Sequence, residues 1–240
     1  MEDIKQFIFT TDDYNNEIAI LNPEWEKQQR QKRYDIYLQK SKIPNFYHNI
    51  NWDNYQGDKS CDSYRKIKHY ADNIEDPKFN HVNLFLYGIH GSQKSAIACN
   101  VAKTALSKGL KSRFILAGSL IDKLMKCQGF NAPVDIVQEI QDIKKNDLLI
   151  IDDIFDTQKG LYWKGDGNSL ILTEWDTFLR DIISEGVKIV CTCNYSPSII
   201  KQHFGESIHQ LIDRNFVVFE LKDIITEKRK LDVMSAFDGV

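Results

Sequence analysis

The chain has 240 residues, about one and a half typical domains, so one full domain with an appendage is expected. Its 31 Lys and Arg against 34 Asp and Glu leave a formal net charge of −3, which excludes a wholly basic, histone-like nucleic-acid binder but not a local basic face. Apolar residues at 42%, with 11% aromatics, suffice for a buried core and argue against global disorder. No apolar run approaches the ~18 residues that would span a bilayer. The N-terminal MEDIKQFIFTTDD lacks the basic-then-apolar order of a signal peptide. The five cysteines are odd in number and scattered (Cys61, Cys99, Cys127, Cys191, Cys193), which speaks against a secreted disulfide scaffold. A cytoplasmic protein without a membrane segment is the expectation.

The first 80 residues read differently from the rest. Residues 1–23 set acids around the apolar patch Phe7-Ile8-Phe9. Asn22-Pro23-Glu24 then has the cap oxygen and first-turn proline of a helix start, and EWEKQQRQKRYDIYLQK continues it to Ser41. Trp25, Tyr34, Ile36 and Tyr37 on that helix need burial, and a partner protein is expected to supply it, with packing back onto the chain's own main domain as the alternative. An aromatic, polar stretch (Phe46, Tyr47, Trp52, Tyr55) comes next, with a helix expected over Ser63–Ile74. We therefore divide the chain into a partner-docking segment, 1–60, and a main domain, 61–240.

From residue 81 short apolar runs alternate with amphipathic ones. VNLFLYG precedes a helix over Lys94–Lys108, and SRFILAG one from Ser119; a further helix is expected over Pro133–Lys144. DLLIIDD, a helix over Leu172–Ser184, VKIVCTCN, two short helices and FVVFELK complete the series. Near-continuous Val, Ile and Leu strands alternating with helices predict an α/β fold, a parallel sheet flanked by helices on both faces.

Two motifs carry chemistry. Gly88-Ile89-His90-Gly91-Ser92-Gln93-Lys94-Ser95, between a strand and a helix, matches the phosphate loop G-x-x-x-x-G-K-[ST] except at Gln93, where the last Gly is expected. Backbone N–H groups from Gly88 through Ala96 and the helix N-terminus would cradle phosphate, with Lys94 reaching the β- and γ-phosphates and Ser95 ligating Mg²⁺. A side chain at Gln93 crowds the loop or demands a backbone angle that only Gly adopts cheaply. About sixty residues on, Asp147-Leu-Leu-Ile-Ile-Asp152-Asp153 is an apolar strand ending in two acids at the sheet's carboxyl edge. Asp152 would hold Mg²⁺ through water, and Asp153 would orient or deprotonate the attacking water.

With these motifs in order, roughly residues 43–222 resemble the AAA+ helicase-loader ATPases of the DnaC/DnaI/IstB type. Ile43-Pro44-Asn-Phe46 followed by Asn51-Trp-Asp-Asn-Tyr55 resembles the family's pre-ATPase segment. Val190-Cys-Thr192-Cys-Asn194 resembles its sensor strand, and Phe204-Gly205-Glu206 with Leu211-Ile-Asp213-Arg214 its phrase ending in Asp-Arg-Leu. The resemblance implies a P-loop AAA+ core with a small, mainly helical N-terminal segment. It implies ATP or ADP and Mg²⁺ as ligands, Asn194 at the γ-phosphate or attacking water, and Arg214 as a finger reaching a neighbouring subunit's nucleotide. The implied partners are a hexameric replicative DNA helicase, single-stranded DNA and further copies of the chain. Asn215 stands where Leu is usual after the Arg, and Asp223–Arg229 replaces the family's C-terminal Gly-x-Ser-x-Arg phrase, so a sensor role for Arg229 competes with a solvated charge run. Lys159–Lys164, with Tyr162 and Trp163, and the basic Lys108, Lys111 and Arg113 are candidate DNA contacts or hydrated surface. A transposition helper of the IstB type and a non-hydrolysing helicase adaptor are the alternative functions.

Overall fold

The computed structural model describes residues 5–11, 16–128, 132–155 and 167–222. Strands β1 (Phe7–Thr11) and β2 (Glu17–Leu21) pair antiparallel, with every residue of both exposed. The N-terminal segment thus holds a hairpin as well as the expected helix. Asn22 joins the two: its N–H donates to Gln6 O at 2.8 Å and its Nδ2 to Lys5 O at 3.0 Å, while its Oδ1 accepts from Glu24 N at 3.0 Å and caps α1 (Pro23–Lys40). Glu24 and Glu26 in the first turn and Lys40 in the last suit the helix dipole.

No side chain of α1 is fully buried, but Tyr34, Tyr37 and Leu38 pack against the core cluster that lies over α3 (Lys94–Ser107). Of the two fates open to this helix, the structure shows it lying on the chain's own main domain. Ser41 after it is fully buried and its carbonyl accepts from Phe114 N at 2.7 Å, on β4 (Ser112–Leu116). Ile43 and Tyr55 are buried in the same cluster as α2 (Asp62–Asp72) and α3, so residues 41–60 pack as one body with the main domain.

The alternation expected from residue 81 is present. After β3 (Asn83–Tyr87), α3 and β4 come α4 (Ala117–Cys127), α5 (Val134–Lys144), β5 (Leu148–Asp152), α6 (Gly167–Ser184), β6 (Lys188–Cys193), α7 (Pro197–Asn215) and β7 (Phe216–Glu220). Helix α6 starts five residues before the predicted Leu172. The two short helices expected before β7 are the halves of α7, broken at Gly205, where φ 86° and ψ 175° leave the helical region.

Strands β3 to β7 form one parallel sheet in the order β4-β5-β6-β3-β7. Period-two alternation splits its side chains between two cores. Leu149, Ile151, Ile189 and Cys191 face the cluster formed with α4 to α7, around the fully buried Trp175 and Phe155. Leu148, Ile150, Val190 and Leu84 face the cluster formed with α2, α3 and the N-terminal segment. The order sets β6 between the phosphate-loop strand β3 and the acid-bearing strand β5, and all three end at one edge.

Asn83, 2% exposed, ties the opposite edge together. Its Oδ1 accepts from Ile189 N at 2.9 Å and its Nδ2 donates to Asn215 O at 3.0 Å. Replacing it orphans two backbone groups at about 1–3 kcal/mol each. Asn83→Leu is therefore expected to lower the stability measured by urea unfolding by about 2–6 kcal/mol with an unchanged m-value; a loss below about 0.5 kcal/mol, the spread of ordinary surface changes, would refute the bridge.

Candidate functional site

The carboxyl edge of the sheet carries a cleft of about 240 Å³ lined by His90, Gly91, Gln93, Lys94, Ser95 and Ala96 from the loop, and by Asp153 and Asn194 from the ends of β5 and β6. Phe46 and Tyr47, from the 3-10 turn Asn45–Tyr47 that comes after α1, complete the wall.

The loop is built by close backbone approach. Gly88 N donates to Cys193 O at 3.2 Å, and Leu221 N donates to Tyr87 O at 2.8 Å. A Cβ at Gly88 would stand 2.1 Å from the Leu221 carbonyl oxygen, so no other residue fits there. Lys94 is 5% exposed, and its Nζ donates to Gly88 O at 2.8 Å, to Ile89 O at 2.9 Å and to Ser92 Oγ at 3.3 Å. The ammonium thus closes the loop on itself and stands at the head of α3, where the helix terminus favours anions. Ser92 is buried; Ile89 and His90 are on the open side of the loop, beside the cleft. Gln93 adopts φ 61°, ψ 24° as the N-terminal boundary of α3, with no side-chain cap. The missing Gly is met by forcing Gln into the left-handed region rather than by a different loop.

The acids sit across β6. Asp152, 5% exposed, accepts at Oδ1 from Thr192 Oγ1 at 2.6 Å, and the same oxygen of Thr192 accepts from Asp153 N at 2.9 Å; Ile154 N donates to Thr192 O at 2.8 Å. One hydroxyl on β6 therefore sets both acids. The turn after β5 is tight, with Asp153 at φ 57° and Phe155 at φ 64°, and it is anchored by the buried Phe155 against Trp175 and Phe204. Burial pushes the Asp152 carboxyl above its ordinary range, against the donated bond from Thr192, the neighbouring Ser95 hydroxyl and the charge of Lys94. The Ser95 hydroxyl also neighbours Tyr47, whose phenol burial pushes up. Mg²⁺ fits this pair: a hydroxyl and a carboxylate are hard oxygen ligands beside a phosphate cradle, and Mg²⁺ takes few protein oxygens, completing its shell with phosphate and water.

The family profile described as IstB-like ATP binding protein matches residues 10–158, more than half of the chain, and takes in both the loop and the acid pair. This chain belongs to the IstB-like ATP-binding family. Among solved structures the IstB-like chain is similar to the DnaC helicase loader (17% identity, TM-score 0.58, covering 74% of this chain and 99% of that one). It is also similar to DnaI (15%, 0.60, 75% and 95%) and to the replication initiator DnaA bound to AMPPCP and single-stranded DNA (15%, 0.56, 72% and 50%). The chain spans about half the length of that DnaA. No curated protein matches the sequence. The fold is that of the P-loop AAA+ ATPases, and nucleotide binding follows from the family.

The structure brings Gly88 through Ala96, Asp152, Asp153 and Asn194 of the IstB-like chain to one edge. Arg214 is elsewhere. It is exposed in the last turn of α7, beside Asn215, whose carbonyl meets Asn83 at the start of β3. A five-residue strand, about 16 Å at 3.3 Å per residue, separates it from its own phosphate loop. Of the basic DNA candidates, Lys108 pairs with Glu75 at 3.5 Å and Arg113 with Glu139 at 3.1 Å; Lys111 is exposed. Lys159–Lys164 and Arg229 lie outside the described residues. Thr192, Phe46 and Tyr47 join the site although the motifs assign them no role in it; Thr192 is the polar member of an apolar strand beside the acids, a signal present in the sequence.

The strain at Gln93 and the burial of Asp152 each yield a test. Leaving the left-handed region saves an L-residue about 1–2 kcal/mol, and glycine's added unfolded-state freedom takes back about 0.4–1 kcal/mol. Gln93→Gly should thus stabilise the protein by about 0.5–1 kcal/mol in urea unfolding; destabilisation would show that the Gln side chain supports the loop. For Asp152 the folded-state pKa lies above the unfolded one. Between the two the folded chain holds the extra proton, and stability falls as pH rises. Asp152→Asn should therefore melt higher than the parent at neutral pH, with the difference vanishing as pH drops to the ordinary carboxylate range. It should also weaken Mg²⁺-dependent nucleotide binding about 10–100-fold. A lower melting temperature at neutral pH would contradict the cost assigned to the buried carboxylate.

Proposed function

We propose that this ATPase loads a replicative DNA helicase, using Mg²⁺-ATP to control its grip on a hexameric helicase and on single-stranded DNA. The observation that carries the reading is extent: the likeness to the DnaC helicase loader covers 99% of that chain, whereas the likeness to DnaA covers half. The DnaA structure holding single-stranded DNA supports the DNA contact.

Lys94 and the loop N–H groups would hold the β- and γ-phosphates, and Phe46 and Tyr47 would flank the nucleotide. Mg²⁺ at Ser95 and Asp152 would neutralise charge on the phosphate oxygens. Asp153 and Asn194 would orient a water whose oxygen attacks the γ-phosphorus as the bond to the β-phosphate oxygen breaks. ADP leaves with that electron pair, and the water proton passes to Asp153 or phosphate. Arg214 of a neighbouring copy would stabilise the developing charge, so turnover is slow in a dilute monomer. The exposed hairpin and the outer face of α1, within residues 1–60, would form the docking surface.

The match to the IstB-like family favours a second reading, in which the same ATPase serves a transposase. Capture of partners by the tagged full chain from its host, with and without Mg²⁺-ATP, separates the two. A helicase recovered in a nucleotide-dependent way, and lost on deleting residues 1–21, is the expected result. Recovery of a transposase, or of nothing nucleotide-dependent, overturns the loader assignment.

A further inference from the structure

A cavity of about 490 Å³, larger than the phosphate-loop cleft and sharing no lining residue with it, lies between α1 and α3. Helix α1 contributes Lys27, Arg30 and Tyr34, the turn after Tyr47 contributes Trp52, and α3 contributes Asn100 and Thr104. Among the described residues lining it none carries a carboxylate. Arg30 is paired with Glu26 just outside, whereas Lys27 makes no ion pair among the described residues.

Asn100 is 1% exposed, and neither its Nδ2 nor its Oδ1 finds a hydrogen-bond partner among the described residues. Folding has desolvated a donor and an acceptor side by side without pairing either, a rare arrangement in a native interior. The neighbouring groups do not compete for it. Thr104 Oγ1 donates to Asn100 O at 2.9 Å and accepts from Trp52 Nε1 at 2.9 Å, which fixes the indole in the wall. Lys103 Nζ is spent on the carbonyls of Tyr47, His48 and Ile50.

A carboxamide edge complements a ligand that presents its own adjacent donor and acceptor, as the edge of a nucleobase does. Aromatic side chains beside it suit a flat heterocycle, and cations at the rim suit a phosphate. The volume is in the range of small-molecule sites. We propose that this cavity is a second nucleotide-binding site, taking one nucleotide with its base against the Asn100 amide and its phosphate toward Lys27 and Arg30. The nucleotide comes either free or as one unstacked unit of a single strand. The inference does not depend on the helicase reading. Lys103 clamps the turn that carries Tyr47 into the first cleft, so one stretch of chain, residues 46–52, borders both cavities through different residues.

The test uses the full chain carrying Lys94→Ala, which disables the phosphate loop, titrated by calorimetry with AMP, GMP, CMP and dTMP and separately with a short deoxyoligonucleotide. Saturable binding at one site per chain is expected, weakened at least tenfold by Asn100→Leu, with thermal stability equal to or above that of the parent. The exposed rim change Lys27→Glu with Arg30→Glu, which cannot disturb the core, should weaken it comparably. Binding of mononucleotides identifies a free ligand; binding of the oligonucleotide alone, with the same sensitivity, identifies a strand. No saturable binding in either arm, or binding indifferent to both variants, overturns the site and leaves the cavity to water.

Discussion

The hydroxyl of Thr192 is the smallest group on which the geometry of the candidate site depends. It donates to the Asp152 carboxylate and accepts from the Asp153 N–H, so the two acids of β5 take their places from a side chain on β6. That is possible because β6 lies between β5 and β3, with the phosphate loop on its other side and Gly88 N bonded to the Cys193 carbonyl. Loop and acids belong to strands that do not touch, and the central strand sets their spacing. The rest of the fold serves to keep that strand still: both faces of the sheet are buried, and Asn83 holds its far end.

Three of the five non-glycine residues with positive φ among the described residues lie at the same edge, the others being Lys42 and His81. Gln93, Asp153 and Phe155 all lie in the left-handed region, two of them in the turn after the acid-bearing strand. Such conformations persist where the surroundings over-determine them. Phe155 shows how: its ring is wedged between Trp175 and Phe204, so the cost of its backbone angle is offset by burial of a full aromatic side chain. The buried carboxylate of Asp152 obeys the same logic: burial raises the cost of its charge, and the bond donated by Thr192 offsets part of it.

Most of the main domain is legible in the sequence because its signals are local. Runs such as LLII and KIVC state burial on two faces, and a loop followed by Lys-Ser, or a strand followed by two acids, states its chemistry within eight residues. The N-terminal hairpin is not legible in this way, although FIFTT and EIAIL are short β-prone runs, because neither buries a face that would mark its period. The roles of Phe46 and Tyr47 depend on a contact between residues some forty positions apart, and the amide of Asn100 is notable only for what surrounds it. Arg214 illustrates the converse: a resemblance names its role, but only the strand order reveals that it lies at the far end of the sheet from its own phosphate loop.

The close approach at Gly88 has a genetic consequence. The atom that excludes a side chain there is the carbonyl oxygen of Leu221, part of the main chain. Most packing lesions can be suppressed by trimming the neighbour that clashes, but a peptide carbonyl is the same whatever residue bears it. Selection for revertants of a Gly88 lesion should therefore return glycine itself or changes that displace the end of β7 as a whole, and position 221 can drift without ever relieving the constraint on position 88.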